Sequence, residues 1–250
     1  MIVFITGASS GFGVAIARRF AQDGAQLILA ARRGERMRAL AKKLGTKAHI
    51  VELDVRDRAA VESTVAGLPK AWQAVDVLVN NAGLALGLEP AQRASLDDWE
   101  QMVDTNCKGL MYVTRALLPG MIERGRGHVI NIGSVAGEWP YPGGNVYGAT
   151  KAFVRQFSLN LRADLLGTPV RVTDIEPGMC SGTEFSNVRF HGDDAKAAKV
   201  YEDVEAISPE EIADTVHWIA TRPAHINVNT ISLMPVQQAF AGLAIQRKTK

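Results

Sequence analysis

Short apolar runs alternate with longer amphipathic stretches along the whole chain. Segments 2–5 (IVFI), 27–31 (LILAA), 48–54 (AHIVELD), 75–83 (VDVLVNNAG), 127–134 (GHVINIGS), 170–178 (VRVTDIEPG) and 228–233 read as strands or begin as strands. Between them, 11–23, 33–44, 59–68, 96–103, 108–123, 146–166 and 209–221 carry helical patterns, with one covered face each. The strand runs are apolar throughout rather than alternating, as expected of strands covered on both faces. Repeated βα units of this kind predict an α/β fold: a doubly wound parallel sheet of about seven strands with helices on both faces. No internal repeat, low-complexity tract or linker interrupts the pattern, so 1–250 reads as one domain.

Composition narrows the picture. A chain of 250 residues with 47% hydrophobic content can bury one sizeable core. Its 28 basic and 26 acidic residues leave a net charge of +2, which favours neither nucleic acid nor an acidic membrane surface as partner. The basic tail 247–250 reads as a solvated end. Cys107 and Cys180 lie far apart, and the five histidines form no metal-ligand spacing, so no metal is expected. The chain shows no basic leader and no apolar run of roughly 18 residues, the length a membrane span needs. A cytoplasmic protein in a reducing compartment is the expectation.

Chemistry enters at the ends of the strand runs. TGASSGFG (6–13) places Gly7, Gly11 and Gly13 between the first strand and the first helix. Glycine there lets backbone approach a pyrophosphate at a helix N-terminus, although similar turns also occur with no ligand. The second strand ends in Arg32 and Arg33, where an acid would favour the 2′-hydroxyl of NAD. Guanidinium groups suit a 2′-phosphate instead, and cations are poor company for a helix N-terminus. NADP(H) is therefore the expected cofactor. Asp54 follows the third strand, where adenine would lie, or where an acid would cap the next helix.

Tyr147 and Lys151 stand four apart on one helix, thirteen residues or more after Ser134. They share a face. Phe153, Phe157, Leu161 and Leu165 repeat on another part of that helix and can anchor it. Taken singly, Asn80 and Asn81 can be loop ties, Ser134 a turn hydroxyl and Asn106 a helix cap.

The ordered set TGxxxGxG, NNAG (80–83), Asn106, Ser134, YxxxK and PG (177–178) resembles the short-chain dehydrogenase/reductase family over nearly the whole chain. The stretches NNAGLALGLEPA, GEWPYPGGNVYGATKAFVRQFSLNLR and GTEFSNVRF resemble members that act on small 3-hydroxy acids. That resemblance implies a Rossmann-type domain and NADP-dependent interconversion of small 3-hydroxy acids with 3-oxo acids or semialdehydes. A 3-oxoacyl thioester, sugar or diketone reductase, or a nucleotide-sensing protein without chemistry, are the alternatives. It implies Tyr147 as general acid/base, and Ser134 as donor to the substrate oxygen. Lys151 would favour the phenolate and bond the nicotinamide ribose, and Asn106 would hold a water leading from Lys151 to solvent. Residues Gly7, Ala8, Ser9, Ser10, Gly11, Phe12 and Gly13 would cradle phosphate, with Asp54 and Val55 at adenine. Asn81, Ala82 and Gly83 would flank the adenosine-side ribose. The loop Pro177, Gly178, Met179, Cys180, Ser181, Gly182, Thr183, Glu184 and Phe185 would close over the pyrophosphate and nicotinamide.

Small hydroxy acids offer little apolar surface, so a cation near the cleft is expected, and Arg189 is the candidate for the substrate carboxylate. Thr183 and Asn187 would add hydrogen bonds, and Phe185 and Phe190 would exclude water. Trp139, Tyr141 and Asn145 would wall the other side. Helices 108–123 and 146–166 are apolar on more than one side, and 233–245 is apolar for a chain end. With the resemblance, these predict a homotetramer.

Overall fold

The computed structural model of the protein describes residues 1–240. Among these, strands β1 (Ile2–Thr6), β2 (Gln26–Ala31), β3 (Ala48–Glu52), β4 (Val77–Asn80), β5 (Gly127–Ile132), β6 (Val170–Pro177) and β7 (Thr230–Leu233) form one sheet. Its order is β3-β2-β1-β4-β5-β6-β7 and every pairing is parallel. The order reverses between β1 and β4. There the loops diverge to opposite faces and leave a crevice at the carboxyl ends of the strands.

Helices cover both faces. One face carries α1 (Gly11–Gln22), α2 (Gly34–Ala41) and α9 (Pro209–Ala220); the other carries α3 (Arg58–Ala66), α5 (Leu110–Glu123) and α6 (Asn145–Asp164). Phe20 and Ile16 of α1 meet Ile212 and Val216 of α9, all fully buried. Each such side chain contributes about 1.5–3 kcal/mol relative to exposure. Helix α9 starts with a capping box, in which Ser208 and Glu211 satisfy each other's backbone N–H. No described helix is long and apolar enough to cross a membrane.

Two regions depart from the sequence pattern. Helix α4 (Leu96–Val103) does not break before α5. A widened π turn, Asp104–Gly109, joins them into one rod. A side chain at Gly109 would run into Val55, so the rod lies close against the loop after β3. Two short helices, α7 (Phe185–Arg189) and α8 (Asp194–Lys199), also lie between β6 and α9, where none was expected. Of the apolar chain end 233–245, positions 241–245 lie outside the described residues, as does the basic tail 247–250.

Candidate active site

The carboxyl ends of the strands open into a cleft of about 720 Å³. The turn after β1 forms its floor. Gly7 has φ +66°, and a Cβ there would stand 2.8 Å from the Asn81 amide nitrogen. Asn81 Nδ2 donates to the carbonyl of Thr6 at 2.9 Å, and Thr6 Oγ1 accepts from the backbone of Asn81 and Ala82 at 3.0 and 2.9 Å. These ties set the glycine turn against the end of β4. Only glycine combines this conformation with this approach. The turn leaves Ser9, Ser10, Gly11 and Phe12 facing the cleft at the start of α1. That arrangement is an anion seat: backbone N–H groups at the positive end of a helix, with no side chain in the way.

The two arginines after β2 differ in the structure. Arg33 already has partners. It donates to Ser10 Oγ at 2.8 Å and Ser9 Oγ at 3.2 Å, and pairs with Glu184 at 2.8 Å. Arg36 pairs with the other Glu184 oxygen at 2.6 Å. Arg32 is exposed and lines the cleft beside Asp54. Asp54 is gripped by Arg56, whose Nη2 lies 2.6 Å away, and its carboxyl is held below the usual range mainly by that bond. The cap of α3 is Asp57, whose side chain accepts from Ala60 N, so Asp54 does not cap that helix. Val55, Ala82 and Gly83 complete this end of the cleft.

At the other end Ser134, Tyr147 and Lys151 converge. Ser134 stands just beyond β5 and accepts from Ala136 N at 3.1 Å. Its hydroxyl donates to Pro177 O at 3.4 Å and, with Tyr147, lines the cleft. Lys151 Nζ donates to Ile132 O at 2.7 Å and lies 5.9 Å from the Tyr147 ring centre. Burial pushes Tyr147 up to about 12, against the pull of the Ser134 hydroxyl and the Arg189 charge. Burial draws Lys151 down to about 8. The sequence reading expected Lys151 to lower the phenol. In the protein alone desolvation wins, because the Nζ is spent on a backbone carbonyl rather than on the phenol oxygen.

Asn106 sits in the widened turn, 2% exposed. Its side chain accepts from Leu84 N at 2.9 Å and donates to Leu84 O and Thr150 Oγ1 at 2.8 and 3.0 Å. The side chain is thus a tie between the segment after β4 and α6, and it does not line the cleft. Ala8 and Gly13 are likewise behind the wall, in the packing of α1 on the sheet. Ser181 and Gly182 turn away, Ser181 N donating to Ile207 O at 3.0 Å and Gly182 resting on Pro209. Pro177, Gly178, Met179, Cys180, Thr183, Glu184 and Phe185 do line the cleft.

Arg189 faces Tyr147 from the end of α7. Its Nη2 donates to Tyr141 Oη at 2.7 Å, its Nε to Gly87 O at 3.2 Å, and its guanidinium carbon lies 5.5 Å from the Tyr147 ring centre. Phe185 meets the Tyr147 ring edge-on. Trp139, Tyr141 and Phe190 also line the space, whereas Asn187 bonds Asp194 at 2.6 Å and Asn145 bonds Glu89 O at 3.0 Å.

Thr6, Arg56, Gln238 and Phe240 were missed from sequence. Thr6 stood inside the quoted glycine motif, and Arg56 lay two residues past Asp54. The other two had no local signal. Gln238 Oε1 accepts from Met179 N at 2.7 Å, and Phe240 packs tilted against Trp139 with ring centres 4.5 Å apart.

A dinucleotide seat, a serine, a tyrosine and a lysine at one strand-end cleft define an oxidoreductase class. A model of the short chain dehydrogenase family matches residues 1–194, and the chain belongs to that family. The chain is 64% identical over 247 residues to NADP-dependent 3-hydroxy acid dehydrogenase YdfG of Salmonella typhimurium, covering 99% of this chain and 100% of that one. It is 53% identical over 247 residues to serine 3-dehydrogenase of Rhizobium radiobacter, covering 99% and 98%. A solved structure of the closed form of serine dehydrogenase complexed with NADP+ is 62% identical, with a TM-score of 0.98 over 99% of this chain and 100% of that one.

Proposed function

We propose that the protein is an NADP-dependent oxidoreductase interconverting small 3-hydroxy acids with their 3-oxo acids or semialdehydes, malonic semialdehyde among them. The observation that carries this is the meeting of Ser134, Tyr147 and Arg189 in one cleft, with Arg189 over the Tyr147 ring. The relatives named above, which carry this activity in their names, support it. All of 1–250 is read as one dinucleotide-binding and catalytic domain, since segments from both ends of the described chain line the cleft. The two free cysteines favour a reducing, cytoplasmic setting.

The residues fit NADP(H). The glycine turn leaves room for phosphate, and Arg32 supplies a guanidinium at the seat of the 2′-phosphate, with Arg33 beside it. When bound, the cofactor supplies or accepts the hydride. Tyr147, protonated at neutral pH, gives its proton to the substrate oxygen in reduction and takes it back in oxidation. Ser134 donates to that oxygen as charge develops. Lys151 sets the field around the phenol. Arg189 receives the substrate carboxylate in place of Tyr141, and Phe185 and Trp139 exclude water.

The test is a panel. Serine, allo-threonine, 3-hydroxyisobutyrate and 3-hydroxypropionate are offered with NADP+ or NAD+, beside 3-oxoacyl thioesters, sugars and diketones with NADPH. Turnover of the hydroxy acids with NADP+ is expected; turnover confined to the uncharged carbonyls overturns the reading. Arg189→Met is expected to cost a hydroxy acid about ten- to hundred-fold in kcat/KM, the scale of a lost hydrogen bond to a charged group, and to spare its methyl ester. Equal loss on both substrates makes Arg189 a lid-ordering residue.

A further inference from the structure

Alternate residues of a strand share a face, so Val172, Asp174 and Glu176 of β6 all turn toward α6. Val172 packs there with Leu161 and Leu165. Nearer the start of the helix, six and ten residues before Leu161, stand Arg155 and Lys151. Asp174 and Glu176 are 0% and 1% exposed, and none of their four carboxyl oxygens finds a hydrogen-bond donor outside the pair among the described residues. Arg155 Nε stands 3.6 Å from Glu176, too far for a good hydrogen bond, while its Nη1 is taken by Glu138 at 2.8 Å. The absent side chain of Gly133 makes room for the Asp174 carboxyl. Lys151 Nζ donates to the carbonyl of Ile132, the residue just before Gly133. Lys151 and Asp174 thus both stand against the peptide unit that joins Ile132 and Gly133.

Two carboxylates cannot both ionise in such a site without large cost. They stand two residues apart on one face of β6, and after burial the charge of Glu176 is the next cause that raises Asp174. One proton between them satisfies an oxygen on each and leaves a single negative charge behind Lys151. We propose that Asp174 and Glu176 share one proton and serve as the counter-charge that keeps Lys151 cationic, acting as positioning residues for the Tyr147–Lys151 pair. This rests on the catalytic reading of Tyr147 given above.

Electrostatics run the same way. Burial draws Lys151 down and Asp174 holds it up, while burial and then Glu176 raise Asp174. The groups facing the pair are Lys151 and Arg155 from α6 and Glu138 from the turn after β5. Their register neighbours on β5 and β7, Asn131, Thr230 and Ser232, are uncharged, and the Cys107 thiol is the other titratable group near Lys151. Because Asp174 is raised in the folded chain, the fold keeps a proton that the unfolded chain has released. Stability from this group falls as pH rises from the ordinary carboxylate range through the raised value.

Infrared spectra of the protein without cofactor or substrate test the shared proton. A protonated carboxyl C=O band at pH near neutrality is expected in the parent, and it should vanish in Asp174→Asn and in Glu176→Gln, where one carboxylate stands alone. No band in the parent, or a band surviving both substitutions, overturns the proposal whatever the substrate proves to be. The pH profile of kcat/KM for oxidation tests the counter-charge. In Asp174→Asn the remaining charge lies farther from Lys151, so Lys151 should lose its proton sooner and the Tyr147 phenolate should form later. Because Tyr147 stands above Lys151 in the free enzyme, the limbs of the bell are expected to move apart by about half a pH unit or more while its plateau falls. An unmoved bell overturns the role. If Asp174→Asn does not fold, Glu176→Gln and the parent spectrum still decide the shared proton.

Discussion

Tyr147 holds its proton through the neutral range because burial raises it to about 12. It is therefore poised as an acid for reduction, and oxidation must wait for a base. Rates of oxidation are expected to climb with pH on the alkaline side while reduction declines, as parallel pH profiles in both directions would read. Tyr147→Phe should lower turnover by about 10²–10⁴-fold, the usual weight of a general acid, with NADPH binding by fluorescence retained. Substantial residual turnover would make the ring a packing residue. Arg32 and Arg33 are equals in sequence but not in the fold. Replacing both with alanine should raise KM for NADPH far more than for NADH, and Arg32→Ala alone should carry most of the effect. Equal effects on both cofactors would sink the 2′-phosphate assignment. The tyrosine and lysine were legible in the sequence because four-residue spacing fixes a common helix face. The Asp174–Glu176 pair was not. Its meaning depends on what faces β6 across the sheet, and a strand pattern carries no record of that.

Among elements, the lid between β6 and α9 is tied at both ends by polar contacts rather than by a core. Glu184 bridges to Arg33 and Arg36 near the start of α2, while the backbone of Arg189 meets Gly87 N at 2.8 Å and His191 meets Asp98 at 3.1 Å. The Glu184 pairs are about half exposed, so each stabilises folding by roughly 0–1 kcal/mol at most. Their geometry nonetheless sets where the lid sits over the glycine turn. Glu184→Gln is expected to weaken NADPH binding several-fold in titration with little change in Tm. Unchanged binding would mean that the Gly87 and Asp98 ties suffice. The long βα alternation was readable because apolar runs covered on both faces are unmistakable. Helices α7 and α8 were not, since five or six residues show no helical period. The break expected near Asn106 is a widened turn inside a continuous rod. Glycine and asparagine at 106–109 mimic a stop, but Gly109 is there to clear Val55. The reach of Gln238 back to Met179 joins the segments after the neighbouring strands β7 and β6 and leaves no local trace.

On the scale of the whole molecule, apolar side chains remain on two separate faces. One lies over α4, α5 and α6, where Leu96 is 68% exposed and Val103, Ile122 and Leu159 are also uncovered. The other lies by α9 and the free edge of β7, with Trp218 and Ile226 exposed. An edge strand left unpaired among the described residues, beside an exposed tryptophan, is a site that proteins normally cover. Two distinct faces would close a tetramer of dihedral symmetry if each paired with its own copy about a two-fold axis, and that is the assembly expected here. Within the apolar chain end, Gln238 and Phe240 turn back on the cleft. Light scattering at micromolar concentration is expected to give four times the 27.0 kDa chain mass. Trp218→Asp should lower that to a dimer, because a charge on one face leaves the other intact, and Leu96→Asp should do the same from the opposite side. Combining the two should yield a monomer that still binds NADPH, since the cleft is built from one chain. A monomeric parent, or single variants that remain tetrameric, would refute the two-face assembly.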